Sequence, residues 1–192
     1  MRKPSRMRRL LALLALITWG SVVLAAPADY RLDVARSEVA FGFDLQGIAA
    51  RGTMPVKAAK MSIDLRDVAR SEVEVTLDAA AATAGVIFVT QTMKGPQVLD
   101  VGRYPEILFR STRITGDLSG AVVEGDLTIR GITRPVRLNA GLFRQRGTDV
   151  NDLDRLTVQL TGAISRAAFG AGGFAGFVGD RIDLNIMARI EK

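Results

Sequence analysis

The chain contains no histidine and no cysteine among its 192 residues. Without histidine, a Ser-His-Asp triad, a histidine-ligated zinc and a histidine-ligated haem are excluded. Without cysteine, there is no thiolate nucleophile, iron–sulfur cluster, disulfide or lipoprotein anchor. Paired carboxylates could still catalyse a reaction, but no convergent catalytic set is visible. The sequence therefore predicts neither an enzyme nor a cofactor.

Aromatic residues are scarce, at 6% of the chain. A barrel that spans an outer membrane needs aromatic girdles and an apolar outward face. Here the outward positions of the alternating segments carry charges, as at Glu72, Asp126 and Arg189. These features disfavour an outer-membrane barrel, which we keep as an alternative class.

Only one long apolar run is present, from Leu10 to Leu24. Basic residues precede it, and alanines follow at positions 25, 26 and 28. The run is shorter than the ~20 residues that a membrane span needs. This pattern predicts a secretory signal peptide over residues 1–25, with cleavage between residues 25 and 28. We therefore expect export to the periplasm and no membrane span in the mature chain.

Removal of this segment changes the charge of the protein. The full chain has 26 Lys and Arg against 20 Asp and Glu, for a net charge of +6. Five basic residues lie in the predicted signal peptide, at positions 2, 3, 6, 8 and 9. The mature chain is therefore near neutral, at about +1. A nearly neutral chain is not typical of a nucleic-acid-binding protein.

The segment from Val123 to Val136 shows the pattern that dominates the chain. Apolar and polar residues alternate up to Ile129, Gly131 interrupts the run, and a second alternating run follows. This pattern predicts a β-hairpin. Similar runs elsewhere predict an all-β fold over residues 29–192, an antiparallel barrel of eight or nine strands. The last run, residues 181–190, should pair with an early strand so that the sheet closes.

Residues 79–101 interrupt this alternation. Their alanine-rich composition favours one or two short helices packed over an end of the sheet. The inward faces of the strands follow from the parity of the apolar residues. The predicted inward set is Phe41, Phe43, Val75, Leu77, Phe109, Leu127, Ile129, Leu160 and Ile186.

Three acidic residues, Asp149, Asp152 and Asp154, form the densest carboxylate cluster. Oxygen ligands at alternate positions would suit calcium. A solvated turn is favoured instead, because the glycine and the terminal glutamate of a calcium loop are missing. The sequence therefore predicts no metal site.

Arg166 follows a long apolar strand, where a buried guanidinium would need a partner. We expect a carboxylate or a backbone carbonyl in that role, with Asp180 the leading candidate for a structural ion pair that closes one end of the barrel.

Two segments have the composition of a portal into the barrel. One is the helical insert, with Phe88, Met93 and Leu99, and the other is the glycine-rich loop of residues 170–179, with Phe174 and Phe177. We expect the last two side chains to pack onto the mouth of the lumen or onto a ligand. An ordinary loop between two strands is the alternative.

Four segments resemble, in order, the motifs of YceI-like proteins. The longest, residues 125–136, is similar to the family's G-x-L-T-x-x-G-x-T-x-P-V hairpin. The other three are residues 37–41, residues 99–111 and residues 162–170. The resemblance covers the chain from about Tyr30 onward. It implies a lipocalin-like barrel, exported to the periplasm, that holds a polyisoprenoid of quinone or polyprenyl type.

The resemblance gives the inward set a role as ligand-binding residues. A bound lipid would serve carriage, sequestration or stress protection. The alternative is a barrel with a filled core that acts as a periplasmic interaction or structural protein without lipid. Whether the barrel forms a homodimer is left open.

Overall fold

The structure, a computed structural model, describes residues 27–145, 147, 149 and 152–192. The predicted signal peptide lies outside these residues. In the described part, the fold consists of one short helix and strands that form a single antiparallel sheet. The strands are β1 (Ala28–Leu32), β2 (Glu38–Leu45), β3 (Ile48–Thr53), β4 (Val56–Ile63), β5 (Glu72–Asp78), β6 (Glu106–Gly116), β7 (Ala121–Ile129), β8 (Ile132–Arg144), β9 (Arg155–Ser165) and β10 (Val178–Glu191). The helix, α1, spans Ile87–Lys94.

The sheet closes into a barrel. Hydrogen-bonded neighbours follow the order β1, β4, β5, β6, β7, β8, β9, β10, and β10 also pairs with β1. This ring has eight members. The remaining strands, β2 and β3, pair with each other, and β2 pairs with β10. The predicted all-β, lipocalin-like barrel is confirmed, including the pairing of the last strand with early strands.

Ten strands fill eight positions because two positions are interrupted. A 3₁₀ turn over Val34–Arg36 separates β1 from β2, and both strands pair with β10. Met54 and Pro55 separate β3 from β4. Pro55 has no N–H to donate, so it does not continue a ladder. Each interrupted pair completes one position of the barrel wall.

The predicted hairpin over residues 123–136 is formed by β7 and β8. Its two turn residues, Arg130 and Gly131, both have positive φ angles, 53° and 72°. Such a turn matches the right-handed twist of paired strands. The closest ladder pair is Ile129 with Ile132, and this register directs Val123, Leu127 and Ile129 into the interior.

The two ends of the barrel differ. At one end, called the α1 end below, lie α1, the β2–β3 turn, the β7–β8 turn and the β9–β10 loop. At the opposite end lie the β4–β5, β6–β7 and β8–β9 loops. The predicted helical insert is confirmed as α1. None of the helices in the described ranges is long and apolar enough to cross a membrane.

Candidate ligand-binding cavity

A cavity of about 280 Å³ occupies the barrel interior. It extends from Met54 and Phe169 near the α1 end to Leu32 and Ile190 near the opposite end. Among the described residues, its lining side chains are apolar except for Ser37 and Arg166. Such a wall can bury hydrocarbon but offers few partners for a polar group.

Eight of the nine residues predicted to face inward line this cavity. They are Phe41, Val75, Leu77, Phe109, Leu127, Ile129, Leu160 and Ile186. Phe43 is buried but does not belong to the cavity wall. Its ring stacks on Phe41, with 6.1 Å between the ring centroids. It therefore supports the wall from beyond the cavity.

Glycines make room for two of the aromatic side chains. Phe41 pairs across the ladder with Gly52, and its ring occupies the space that a Cβ at Gly52 would fill. A Cβ at Gly125 would lie 2.6 Å from the Phe109 ring and 2.5 Å from the Arg110 carbonyl oxygen. Because the rings lie flat against these glycines, they line the cavity instead of filling it.

Met93 of α1 and Leu99 of the following segment cover the α1 end of the cavity. On α1, Met93 and the buried Thr90 face the barrel. The Thr90 hydroxyl accepts a hydrogen bond from the Ala84 N–H at 2.9 Å, which anchors the helix to the preceding segment. Met93 and Leu99, two of the predicted portal residues, therefore line the cavity.

The other three predicted portal residues do not contribute to the cavity wall. Phe88, Phe174 and Phe177 are exposed, at 75%, 42% and 57% of their surface. Phe174 also has a left-handed backbone, with φ of 60°. Phe174 and Phe177 therefore do not form part of the lumen wall, because their side chains turn outward from the β9–β10 loop. Their packing onto a bound ligand stays a prediction.

Arg166 is the most deeply buried cation near the cavity, with 6% of its surface exposed. Its Nε donates to the Gly179 carbonyl, and its terminal nitrogens donate to the carbonyls of Ala171, Gly173 and Val178, at 2.6 to 2.9 Å. Burial lowers the pKa of Arg166 from its ordinary value. A guanidinium stays protonated even so.

The predicted ion pair between Arg166 and Asp180 is not formed, since no salt bridge joins these two described side chains. The Asp180 carboxylate instead accepts the Ala167 N–H at 2.9 Å, and the Arg166 N–H donates to the Asp180 carbonyl. The hydrogen bond from the Ser165 hydroxyl is the main cause of the lowered pKa of Asp180. Backbone carbonyls can reach the planar guanidinium from several sides at once, which one carboxylate cannot do.

The acidic cluster near residue 150 forms a turn where the structure describes it. The Asp152 N–H donates to the Asp149 carbonyl, and the Asp152 carboxylate accepts the N–H groups of Asp154 and Arg155. The Arg155 guanidinium also contacts this carboxylate, at 3.0 Å. In the described ranges, no group of three acidic side chains is placed to hold a metal ion.

Sequence reasoning missed several residues of the cavity wall. Val39, Ile182 and Leu184 share the parity of predicted neighbours, so the alternation could have identified them. Met54 and Phe169 lie between strands, where alternation carries no signal. Cavity residues in loops, such as these two, could be identified only from the folded structure.

The sequence of this chain is similar to those of YceI-like proteins. The sequence profile of the YceI-like domain matches residues 30–190. The protein YceI of Escherichia coli is 26% identical over 177 residues, which cover 88% of this chain and 92% of that protein.

Solved structures share the fold. BcnA of Burkholderia cenocepacia superposes with a TM-score of 0.74 at 22% identity, over 83% of this chain and 99% of that one. A polyisoprenoid-binding domain from Saccharophagus degradans, implicated in plant cell wall breakdown, gives a TM-score of 0.59 at 13% identity. That match covers 84% of this chain and 97% of the domain.

Proposed function

The chain belongs to the YceI-like family, and on that premise we propose that it is a lipid-binding protein that holds a polyisoprenoid in its barrel. The observation that carries the proposal is the apolar cavity of about 280 Å³ in the barrel interior. Its volume is close to the lower end of small-molecule pockets, roughly 300 Å³. The polyisoprenoid-binding domain of S. degradans, which has the same fold, supports this ligand class.

Hydrophobic burial alone can account for binding. At about 0.8 kcal/mol per buried CH₂-sized group, one five-carbon prenyl unit contributes roughly 3–4 kcal/mol before losses. Association costs up to about 15 kcal/mol in lost translational and rotational freedom. Four to five buried units, on this rough scale, offset the upper figure. The apolar wall therefore needs no polar group to bind such a chain.

The same wall favours binding over catalysis. Ser37 and Arg166 are the polar residues among its described lining, and the Arg166 guanidinium is already engaged by four carbonyls. A filled core is also disfavoured, because protein interiors contain few voids larger than a water molecule. The protein is therefore proposed to hold a lipid for carriage, sequestration or stress protection.

We further propose that residues 1–25 direct export and are removed between residues 25 and 28. The first strand begins at Ala28, which pairs with Ile63, so cleavage before Ala28 leaves the barrel wall intact. The mass of the mature protein from the periplasm tests this proposal. A mature chain that retains residues 1–25 would contradict it.

Native mass spectrometry of protein from its own periplasm tests the ligand. We expect a bound species that dissociates in organic solvent and carries repeated five-carbon units. A second test measures binding of a fluorescent prenyl analogue to delipidated protein. Protein that holds no lipid when isolated, and does not bind the analogue after delipidation, would refute the proposal.

A further inference from the structure

The α1 end carries most of the exposed large apolar side chains of the described chain. Six of them lie there, in three separate segments, and we call this set the α1 rim. Its members are Ile48, Val86, Ile87, Phe88, Phe174 and Phe177, with exposed fractions between 42% and 79%. Large exposed apolar patches on a protein surface usually mark an interaction site.

Backbone contacts join the three segments around one end of the barrel. The Gln46 N–H donates to the Phe177 carbonyl at 2.9 Å, which places the β9–β10 loop against the β2–β3 turn. The Gly173 N–H donates to the Gln97 carbonyl at 3.0 Å, which joins the same loop to the segment after α1. Thr53 and Thr83 form a bridge between β3 and the segment before α1. The α1 rim is therefore one surface.

The barrel core does not need these side chains. On α1, Thr90 and Met93 face the barrel, whereas Ile87 and Phe88 are 79% and 75% exposed. Phe174 has a left-handed backbone conformation, which is unfavourable for a residue with a Cβ. In the described part of the chain, packing into the barrel core therefore does not explain Ile87 and Phe88.

Charge around the α1 rim favours an anionic partner. Segments 79–105 and 130–134 contain Lys94, Arg103, Arg130 and Arg134, against one acidic residue, Asp100. None of these four cations forms an ion pair with a carboxylate in the described part of the chain. Arg130 and Arg134 donate to backbone carbonyls, which leaves their charge uncompensated.

The start of α1 adds positive charge at this end. The N-cap residue of α1, Val86, makes no side-chain hydrogen bond, so no side chain offsets the positive end of the helix dipole. Asp44, Asp78 and Asp180 also lie at this end and accept backbone N–H groups of their own turns, so they offset part of the positive charge.

Charges at the opposite end are more evenly balanced, because Arg70 pairs with Asp64 and Arg155 pairs with Asp152. Its loops are built on aspartate turns at Asp64, Asp117 and Asp152. Backbone N–H donors hold the pKa of Asp64 and Asp152 below the usual value, and the Ser119 hydroxyl is the main cause of the lowered pKa of Asp117. These carboxylates are therefore ionised at neutral pH. The α1 end, whose four cations form no ion pair among the described residues, is therefore the end that a negative surface would attract.

We propose that the α1 rim docks on the surface of a bilayer that contains anionic phospholipid. Ile48, Ile87, Phe88 and Phe177 enter the headgroup region, and Lys94 and Arg103 contact lipid phosphates. Apolar side chains flanked by cations are the usual composition of an interfacial anchor. In this orientation Met93 and Leu99, which cover the cavity, lie next to the bilayer. The inference rests on the proposed function for its cargo, while docking itself can be tested without any cargo.

Flotation with vesicles tests the proposal. The purified protein is mixed with vesicles of phosphatidylglycerol and phosphatidylcholine in equal parts, or of phosphatidylcholine alone. We expect binding to the anionic vesicles, weakened by salt, and at least about tenfold weaker binding to phosphatidylcholine. A double variant, Ile48→Ser with Ile87→Ser, should lose about tenfold or more of the anionic binding.

Phe143→Ser with Leu153→Ser is the matched control, because both residues are exposed but lie at the opposite end. It should bind vesicles as the wild type does. All variants should bind a fluorescent prenyl analogue delivered from cyclodextrin equally well, which separates docking from cavity function.

The proposal would be overturned if wild-type protein bound anionic vesicles no better than phosphatidylcholine vesicles. It would also be overturned if the rim variant bound anionic vesicles as well as the wild type does, or if the control variant lost as much binding as the rim variant. A wild-type dimer that the rim variant converts to a monomer, with no vesicle binding by either, would assign the α1 rim to a second copy of the chain and would also overturn the proposal. If wild-type protein bound anionic vesicles but did not bind the prenyl analogue, the proposed function would be refuted and the docking proposal would stand.

Discussion

One guanidinium organises the whole β9–β10 loop. Arg166 holds the carbonyls of Ala171, Gly173, Val178 and Gly179, four groups that point toward the end of an apolar cavity. Water cannot easily replace the guanidinium there, because its side chain is only 6% exposed. The residue therefore shapes a loop that contains little regular structure of its own.

Replacement of Arg166 by alanine should destabilise the protein by about 2–5 kcal/mol, because buried carbonyls lose their donors. Chemical unfolding measures the change. Arg166→Lys should recover only part of the loss, since an ammonium group has no planar fork. Wild-type stability in the alanine variant would contradict the role assigned to the side chain.

Leu127 tests whether the cavity is occupied. It is 8% exposed and lines the cavity, so Leu127→Glu should abolish lipid co-purification. Leu108→Glu is the control, because Leu108 is 45% exposed on the neighbouring strand. We expect the Leu127 variant to remain folded by circular dichroism while it loses lipid. If the Leu127→Glu variant instead unfolded, and no folded form without lipid could be isolated, the result would favour a filled core.

At the scale of the strands, inner-face glycines set the width of the cavity. Gly125→Ala should destabilise the barrel by about 1–3 kcal/mol, because the new methyl group meets the Arg110 carbonyl and the Phe109 ring. The same substitution pushes the Phe109 ring into the cavity, so affinity for a prenyl analogue should also fall.

Gly102→Ala is the control for this change. A Cβ at Gly102 would meet no atom within 4 Å, and its φ angle is not in the left-handed region. Its stability should stay within about 1 kcal/mol of the wild type. Equal effects of the two alanines in urea unfolding would show that crowding at Gly125 is not the cause.

The element scale also explains what sequence could predict. Alternation gave the inward face of each strand, since every second side chain points to the same side. It did not give depth along the barrel, which is why Phe43 shares the face of Phe41 but lies beyond the cavity. It also did not locate the break between β3 and β4, which falls at Met54 and Pro55.

Loops were the least predictable part of the site. The partners of Arg166 are backbone carbonyls, which every residue possesses, so no residue type identifies them. Asp180 was the natural expectation because opposite charges attract, but its carboxylate serves the Ala167 N–H. The exposed side chains of Phe174 and Phe177 depend on the path of this same loop.

For the whole molecule, the absence of histidine predicts a simple pH response. Asp64, Asp117, Asp152 and Asp180 have pKa values below the ordinary range, chiefly because backbone N–H groups and serine hydroxyls donate to them. Their stabilising contribution is complete above the ordinary carboxyl pKa of about 4 and is lost as the pH falls through the lowered values.

The melting temperature should therefore be nearly constant from about pH 8 to about pH 5 and should fall below about pH 4. Differential scanning calorimetry across this range measures the response. Asp64→Asn should reduce the acid-induced loss, because Asp64 is 4% exposed and accepts two backbone N–H groups. A large decrease between pH 7 and pH 5 would contradict the assignment.

The closure of the ring by β10 has a consequence for biosynthesis. Ile190 pairs with Leu32, so the wall cannot be completed until almost the whole described chain has left the ribosome. Folds dominated by such distant pairings also fold slowly. A nascent chain without β10 cannot form the closed barrel, because β1, β2 and β9 then lack their shared partner strand. For the export proposed above, the late arrival of β10 would delay folding until translocation is under way.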